Sequence, residues 1–344
     1  MSKNRIVYLW TWPQNFGNVF IDLGSIQSLK MAAPECTINQ VGGLSRVLFE
    51  DRHYGQKKKI FRWIPAYAKN LVLGERISKS IKTRFMNPEL NISEIEVHKM
   101  FKNYLDLSLF IKSDFAVLSG CILDWYIIRQ FGSTLLDLKN KGVKIIINGG
   151  GGTYYTEKVI SEVRKFLNKI EPYAFISRDE IAFKNYQDLA KYSYNGIECA
   201  FFLNDYFTPI QLEMPKYCVF CFDRGPEPEI EIKDRLIART HHTHYCDPPQ
   251  SYFEKPNTII SDLVEDYLNL YANAEAVYTD RVHACVAALS YGTPCRLFHK
   301  TSRALLFDRV EARDIEKELI CPNTNKIEKE KKKQIKFLSE VLEK

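Results

Sequence analysis

The chain has 344 residues, 45% hydrophobic and 26% charged, with a formal net charge of +6. Such a composition excludes a disordered chain, which has too little apolar content to bury a core, and the charge is spread too thinly for a nucleic-acid reader that must neutralise many phosphates. The length exceeds one ordinary domain, so two are expected.

Nine cysteines, an odd number without framework spacing, fit a reducing cytoplasm rather than a disulfide scaffold. The opening MSKNRIVYLWTW lacks the apolar run of a signal peptide, and no stretch approaches ~20 apolar residues. A cytoplasmic protein is expected, with any membrane contact peripheral and at the inner face. No internal repeat is visible.

In chain order, Ile6-Val7-Tyr8-Leu9-Trp10 reads as a strand, Pro13, Asn15, Gly17 and Asn18 as a loop, and 21–30 as a helix. The stretch 40–101 has weak periodicity and reads as an insertion over the first sheet; within it, Lys59-Ile60-Phe61-Arg62-Trp63 fits a buried helix better than a sugar- or lipid-contacting surface. Phe115-Ala116-Val117-Leu118 runs into Ser119-Gly120, and Val143-Lys144-Ile145-Ile146-Ile147 runs into Asn148-Gly149-Gly150-Gly151-Gly152. Near-continuous apolar runs ending in glycine are strands buried on both faces of a parallel sheet. Between them 122–140 reads as a helix closed by Gly142, and beyond them 156–169 as another ending before Pro172. Strand Tyr173-Ala174-Phe175-Ile176-Ser177 and helix 179–191 follow, completing a doubly wound first domain over 1–205.

Residues 204–216, with Pro209 and Pro215, read as a hinge. Strands are then expected at 217–222, 258–260, 276–279 and 295–298, and helices at 262–271 and 282–290, the latter closed by Tyr291-Gly292-Thr293-Pro294. They make a second Rossmann-like domain over 206–325. Residues 326–344 read as a charged terminal helix that packs back across either domain, its Lys/Glu alternation a solvated face. The expected fold is α/β, two Rossmann-like domains facing a cleft.

The strongest chemical signal is Thr279-Asp280-Arg281-Val282-His283-Ala284, where a strand ends and a helix begins. Ligands of open α/β sheets gather at such carboxyl edges, where helix N-termini offer free N–H groups and partial positive charge. Arg281 supplies a bidentate fork for phosphate or carboxylate, and His283 a proton near neutral pH. The plainer alternative is an Arg281 salt bridge to Asp280 or an acidic neighbour, with His283 simply packed. Arg178 occupies the equivalent strand-end position after Ser177, so two arginines stand where one phosphate-bearing ligand would meet both.

These residues resemble the polysaccharide pyruvyl transferase family. Its pattern of strand, Arg-x-His, alanine-containing helix and Gly-x-Pro is similar to 279–284 followed by Ala287-Ala288-Leu289-Ser290-Tyr291-Gly292-Thr293-Pro294. Ile176-Ser177-Arg178-Asp179, Leu118-Ser119-Gly120, the glycines 149–152 and Asn15-Phe16-Gly17-Asn18 resemble further family segments over roughly 5–310. The chain departs from the family at Asn18, where an aspartate is usual, although Asp22 lies one turn on. It departs again before Cys199-Ala200-Phe201, which lacks an aspartate. The resemblance implies a fold like the GT-B glycosyltransferases and transfer of a pyruvyl group from phosphoenolpyruvate to two hydroxyls of a hexose. The product is a cyclic ketal on a capsular, exopolysaccharide or cell-wall precursor, sugar or lipid-linked oligosaccharide. Phosphoenolpyruvate is the donor and no cofactor is expected. Arg281 and Arg178 would hold the phosphate and carboxylate, with His283 as general acid or base. Rival readings are a nucleotide-sugar glycosyltransferase and a non-catalytic carbohydrate-binding protein of the same fold.

Asn15, Gly17, Gly120, Gly150 and Gly151 are candidate substrate contacts, since glycine permits close backbone approach; a tight turn is the equal alternative for the glycine run. That run lacks dinucleotide and P-loop spacing. His241-His242-Thr243-His244, with Cys246 and Asp247, has metal-ligand chemistry without metal-ligand spacing, so no metal is expected and His241 or His244 would touch the sugar. Cys218 and Cys221 alternate in a strand and read as core.

Overall fold

The computed structural model describes residues 4–11, 13, 15–42, 105–242 and 255–344. The expected insertion from residue 43 onward, its Lys59 to Trp63 segment and His244 lie outside the described residues.

Two parallel sheets form the frame. The first has six strands in the order β2-β1-β3-β4-β5-β6: β1 Arg5–Leu9, β2 Thr37–Val41, β3 Phe115–Gly120, β4 Lys144–Gly150, β5 Ala174–Ser177 and β6 Tyr192–Asn195. The second has five in the order β11-β10-β7-β8-β9: β7 Tyr217–Cys221, β8 Leu236–Thr240, β9 Thr258–Ile259, β10 Ala276–Thr279 and β11 Cys295–Leu297. The apolar central strands are where the sequence placed them. β2 (TINQV), β6 (YSYN) and β8 (LIART) were not legible, because each carries polar residues and none is buried along its whole length.

The helices are α1 Phe16–Ala32, α2 Gly132–Asn140, α3 Glu157–Ile170, α4 Glu180–Tyr186, α5 Val264–Ala272, α6 Val282–Ser290 and α7 Thr324–Leu342. α1 starts earlier than its apolar pattern suggested, because the Asn15 side chain accepts from the Gly17 N–H and caps it. The helix expected over 122–140 is instead a π-helical turn, Ile127–Phe131, followed by α2. Helix 179–191 ends at Tyr186 in a 3-10 turn, Gln187–Leu189.

α1 is buried almost throughout and joins the two halves. Phe16, Val19 and Phe20 share one core with Ala200, Phe201 and the α6 residues Ala284 and Ala287. α7 departs from the expected solvated face. Lys332 and Lys336 are exposed, but Lys331, Gln334 and Leu338 are buried, and Leu338 packs with Tyr8 and Val117 of the first sheet. Among the described residues no helix is long and apolar enough to cross a membrane.

Candidate active site

In each sheet the strand order reverses once at the first strand, between β1 and β3 and between β7 and β10. Ligands of doubly wound sheets bind outside the carboxyl ends at such switch points. Thr11, just past β1, and Cys121, just past β3, line a cleft of about 670 Å³, and Arg224, just past β7, lines its opposite wall. Arg281 follows β10. The two switch points therefore face each other, and the loops they share are where the chemistry collects.

Arg178, Glu198, Arg281 and His283 do not line this cleft but lie behind it; Arg178 is 1% exposed, brought there by β5 and by its backbone N–H bond to the Gly150 carbonyl. Its Nη1 donates to Glu198 Oε2 at 2.6 Å, while its Nε and Nη2 are buried without a hydrogen-bond partner among the described residues. The same Glu198 oxygen lies 3.6 Å from His283 Nε2. Burial would push the fully buried Glu198 carboxyl up, but Arg178 and His283 overcome it and hold it at about 2. Burial lowers His283 to about 4, with Arg178 and Arg303 adding to the effect and Glu198 opposing it. Near neutral pH this buried cluster holds a charged Arg178, a charged Glu198 and a neutral imidazole. His283 sits in the first turn of α6 against the first turn of α1, and a Cβ on Gly17 would be 3.1 Å from its Nδ1. Two helix N-termini thus converge on one imidazole, a setting that favours anions.

Arg281 does not pair with Asp280. All of the Asp280 carboxylate is used by backbone, accepting from the N–H groups of Asp223, Arg224 and Gly225 at 3.1, 2.7 and 3.0 Å. Arg281 Nε instead lies 3.4 Å from Asp223 Oδ2. Asp223 also meets His241 Nδ1 at 2.6 Å and the His242 N–H at 3.1 Å. Burial works against this carboxylate's charge, but His241 and Arg281 keep it below its ordinary value. His241 is therefore a buried partner of Asp223. His242 is packed among Phe16, Phe20 and Tyr267, and burial lowers its imidazole to about 3. Among the described residues no group of three or more His, Cys, Asp or Glu is arranged to hold a metal ion.

The glycines divide by what fills the space beside them. A Cβ at Gly150 would lie 2.5 Å from Ile147, and one at Gly151 would lie 2.3 Å from Arg178 Nε, so that room is taken by core and by the Arg178 side chain. Gly120 has φ +89° and packs on Ile21, where its carbonyl accepts from Ile122 and Gly151. Asn15 faces the cleft. Cys218 and Cys221 are buried free thiols of β7.

Residues the sequence reading passed over complete the site. Arg224, Lys300 and Arg303 give the C-terminal wall three cations, and no carboxylate lines the cleft among the described residues. Arg303 Nε is buried without a hydrogen-bond partner among the described residues, and burial together with Arg178 and Arg281 lowers the guanidinium, which places both of those charges within its electrostatic reach. Arg224 was recoverable, since it follows a strand end as Arg178 and Arg281 do. Glu198 was not, because it lies in an irregular segment before the 3-10 turn Cys199–Phe202, and only the fold delivers it to Arg178. The carboxylate absent from 199–201 is thus present one residue earlier.

Comparison with known proteins agrees with this architecture. Comparison with curated proteins finds no match. Among solved structures the chain is similar to S. aureus MnaA in its co-structure with UDP, at 15% identity and TM-score 0.50 over 98% of this chain and 91% of that one. It is equally similar to a UDP-N-acetylglucosamine 2-epimerase, at 14% identity and TM-score 0.50 over 99% and 91%. At these identities the likeness concerns the fold: α/β, with two Rossmann-like domains facing a cleft in the GT-B manner. A family match of a different kind covers residues 15–298, from the cap of α1 to just past β11, and its description is polysaccharide pyruvyl transferase. That span holds Arg178, Glu198, Arg281 and His283, and the chain belongs to the polysaccharide pyruvyl transferase family.

Proposed function

We propose that the protein transfers the pyruvyl group of phosphoenolpyruvate to two hydroxyls of one hexose in a capsular, exopolysaccharide or cell-wall glycan precursor. The observation that carries this reading is the buried Arg178, which shares the Glu198 carboxylate with His283 and whose Nε and Nη2 have no hydrogen-bond partner among the described residues, close to a cleft that Arg224 and Arg303 line. A buried donor without a partner costs about 1–3 kcal/mol, a cost that an anionic ligand removes. In the reaction two sugar oxygens bond to carbon 2, the bond from that carbon to the phosphate oxygen breaks, and the methylene becomes a methyl group. Of the two hydroxyl protons, one ends on that methyl and the other on phosphate. Arg178, Arg281 and Arg303 are assigned to the phosphate and carboxylate, where they stabilise charge as phosphate departs. His283, neutral in the free protein, accepts a hydroxyl proton. The bound trianion offsets Arg178 and Arg303, raising the imidazole's affinity for that proton and fitting it to deliver the proton to the methylene. No further cofactor is required by this scheme.

The test is incubation with phosphoenolpyruvate and a panel of hexosides, reading ketal formation by mass and phosphate release in equal amount. His283→Ala is expected to lower the rate roughly 10²–10⁴-fold. The likeness to a UDP-bound structure makes UDP-sugars the control ligands. Stabilisation and sugar transfer by these, with no phosphate released from phosphoenolpyruvate, would replace this reading with glycosyl transfer.

A further inference from the structure

The two walls of the cleft differ in chemistry. The C-terminal wall carries Arg224, His299, Lys300 and Arg303, whereas the described residues of the N-terminal wall include no charged side chain and present Tyr126, Tyr154, Asn18 and Gln130. We infer that the N-terminal wall is the acceptor subsite, where Tyr154 and Tyr126 stack on the C–H faces of a neutral sugar ring and Asn18 bonds its hydroxyls. This inference rests on the transferase reading above and assigns the part of the site that reading leaves open.

The two tyrosine rings are unusually open for aromatic side chains, Tyr154 at 67% and Tyr126 at 41% exposure. Exposed aromatics at the rim of a polar cleft are a recognition surface in search of an apolar face, and a pyranose has such a face bordered by hydroxyls. Both rings stand on fixed backbone. Next to Tyr154, the Tyr155 hydroxyl accepts from the Gly152 N–H and donates to Asp179, both at 2.8 Å. On its other side the Thr153 carbonyl accepts from the Ser302 hydroxyl at 2.9 Å. Tyr126 donates its N–H to Asp124 at 2.8 Å and leads into the π-helical turn, which Gln130 ties to the Thr11 carbonyl at 3.2 Å. π-turns recur at functional sites because the inserted residue redirects side chains. The Asn18 side chain has no hydrogen-bond partner among the described residues, which leaves its amide for a ligand. A sugar held here faces the cationic wall, so its hydroxyls meet a donor anchored on arginines.

The experiment uses the full chain with methyl β-galactoside, methyl β-glucoside and methyl α-mannoside as probes, read by saturation-transfer NMR with phosphoenolpyruvate absent and present. Donor binding is followed separately, by thermal shift with phosphoenolpyruvate. Saturation of ring protons is expected for at least one glycoside, lost in Tyr154→Ala and kept in Tyr154→Phe, with the donor's thermal shift the same in both variants. With an active acceptor, Tyr154→Ala and Tyr126→Ala are each expected to raise the acceptor KM roughly tenfold and leave the donor KM unchanged. Undiminished saturation in both alanine variants, or none for any glycoside in a wild-type protein that phosphoenolpyruvate stabilises, would overturn the subsite and spare the donor reading. Tyr154-dependent saturation without any donor effect would do the reverse.

Discussion

Glu198 places one carboxylate oxygen between Arg178 and His283, so its charge sets the partner of a buried arginine and the surroundings of a buried imidazole together. Glu198→Gln keeps the shape and removes the charge. With Arg178 left buried and uncompensated, stability is expected to fall by roughly 3–5 kcal/mol in a denaturant titration, and phosphoenolpyruvate should recover part of it. His283 gives a second residue-scale prediction. In the free protein burial pushes its imidazole down to about 4, and Arg178 and Arg303 add to the lowering. On the proposed reading phosphoenolpyruvate neutralises both, so the imidazole's NMR titration midpoint is expected to move up on binding; an unmoved midpoint would remove the anion from this site.

Two kinds of buried group bend the pH dependence of stability in opposite senses. His283 and His242 are lowered, chiefly by burial, to about 4 and about 3 from an ordinary histidine value of 6.5, so their contribution is present above that value and is lost as pH falls towards the folded ones. Asp22 is raised by burial from 3.8 to about 7, so its contribution is present below 3.8 and is lost as pH rises through 7. Its carboxylate accepts from the Tyr8 and Ser119 hydroxyls and from the N–H and hydroxyl of Thr11. Asn at 22 can accept from the Thr11 N–H and donate to the other hydroxyl oxygens. Asp22→Asn is therefore expected to gain melting temperature relative to wild type between about pH 5 and pH 8; parallel curves would show that Asp22 is already ionised at the lower pH.

At the scale of elements, α1 shows how a sequence can be read correctly and still conceal its purpose. Its apolar run marks a helix, and nothing in that run says that the first turn is buried against α6 or the middle against 199–200. Gly17 and Gly24 look alike in sequence and do different work. A Cβ at Gly24 would stand 2.0 Å from the Cys199 carbonyl oxygen, which is backbone and cannot step aside, so Gly24→Ala should destabilise by about 1–3 kcal/mol or more. At Gly17 the neighbour is the His283 ring at 3.1 Å, a side chain that can shift. Alanine also favours helix over glycine by about 1 kcal/mol. Gly17→Ala is therefore expected to leave melting temperature nearly unchanged and to lower transfer activity by moving the imidazole. Loss of stability in both variants would place the two glycines in the same structural role. The central strands β3 and β4 were legible because both faces are buried and each carries an unbroken apolar run, Phe115 to Leu118 and Ile145 to Ile147, ahead of its glycines. Edge strands β2 and β6 were not, because half-exposed positions admit Asn, Gln and Ser without penalty. Of the site, the strand-end arginines and His283 were visible as local grammar, whereas Glu198 and Arg303 depend on distant segments meeting.

At the scale of the molecule, α7 makes the two sheets one folding unit. Its first half reaches the core shared by α1 and α6 through Ile327, and its last turns place Leu338, Val341 and Leu342 under the first sheet. Between these anchors Gln334 is fully buried, accepting from the Ile197 N–H at 2.8 Å and donating to the Asn148 side chain at 3.3 Å. Ile197 immediately precedes Glu198, so the helix holds the segment that delivers the site's carboxylate. Lys331, 1% exposed, is held by Asp205 and Glu328 at 2.5 and 2.6 Å, which explains how a lysine-rich segment is partly internal. Removing residues 324–344 would uncover both cores together, and the polar groups that Gln334 serves would be left buried without partners, each at about 1–3 kcal/mol. The intact chain is expected to unfold in one transition, with tryptophan fluorescence and far-ultraviolet circular dichroism coincident. Leu338→Ala should shift that single transition by about 2–5 kcal/mol without splitting it, since the cavity is local and the helix stays in place. A chain ending at residue 323 should separate the two probes, because the first sheet loses an entire covering helix while the second keeps α5 and α6. Coincident probes in the shortened chain would mean that α1 alone couples the halves.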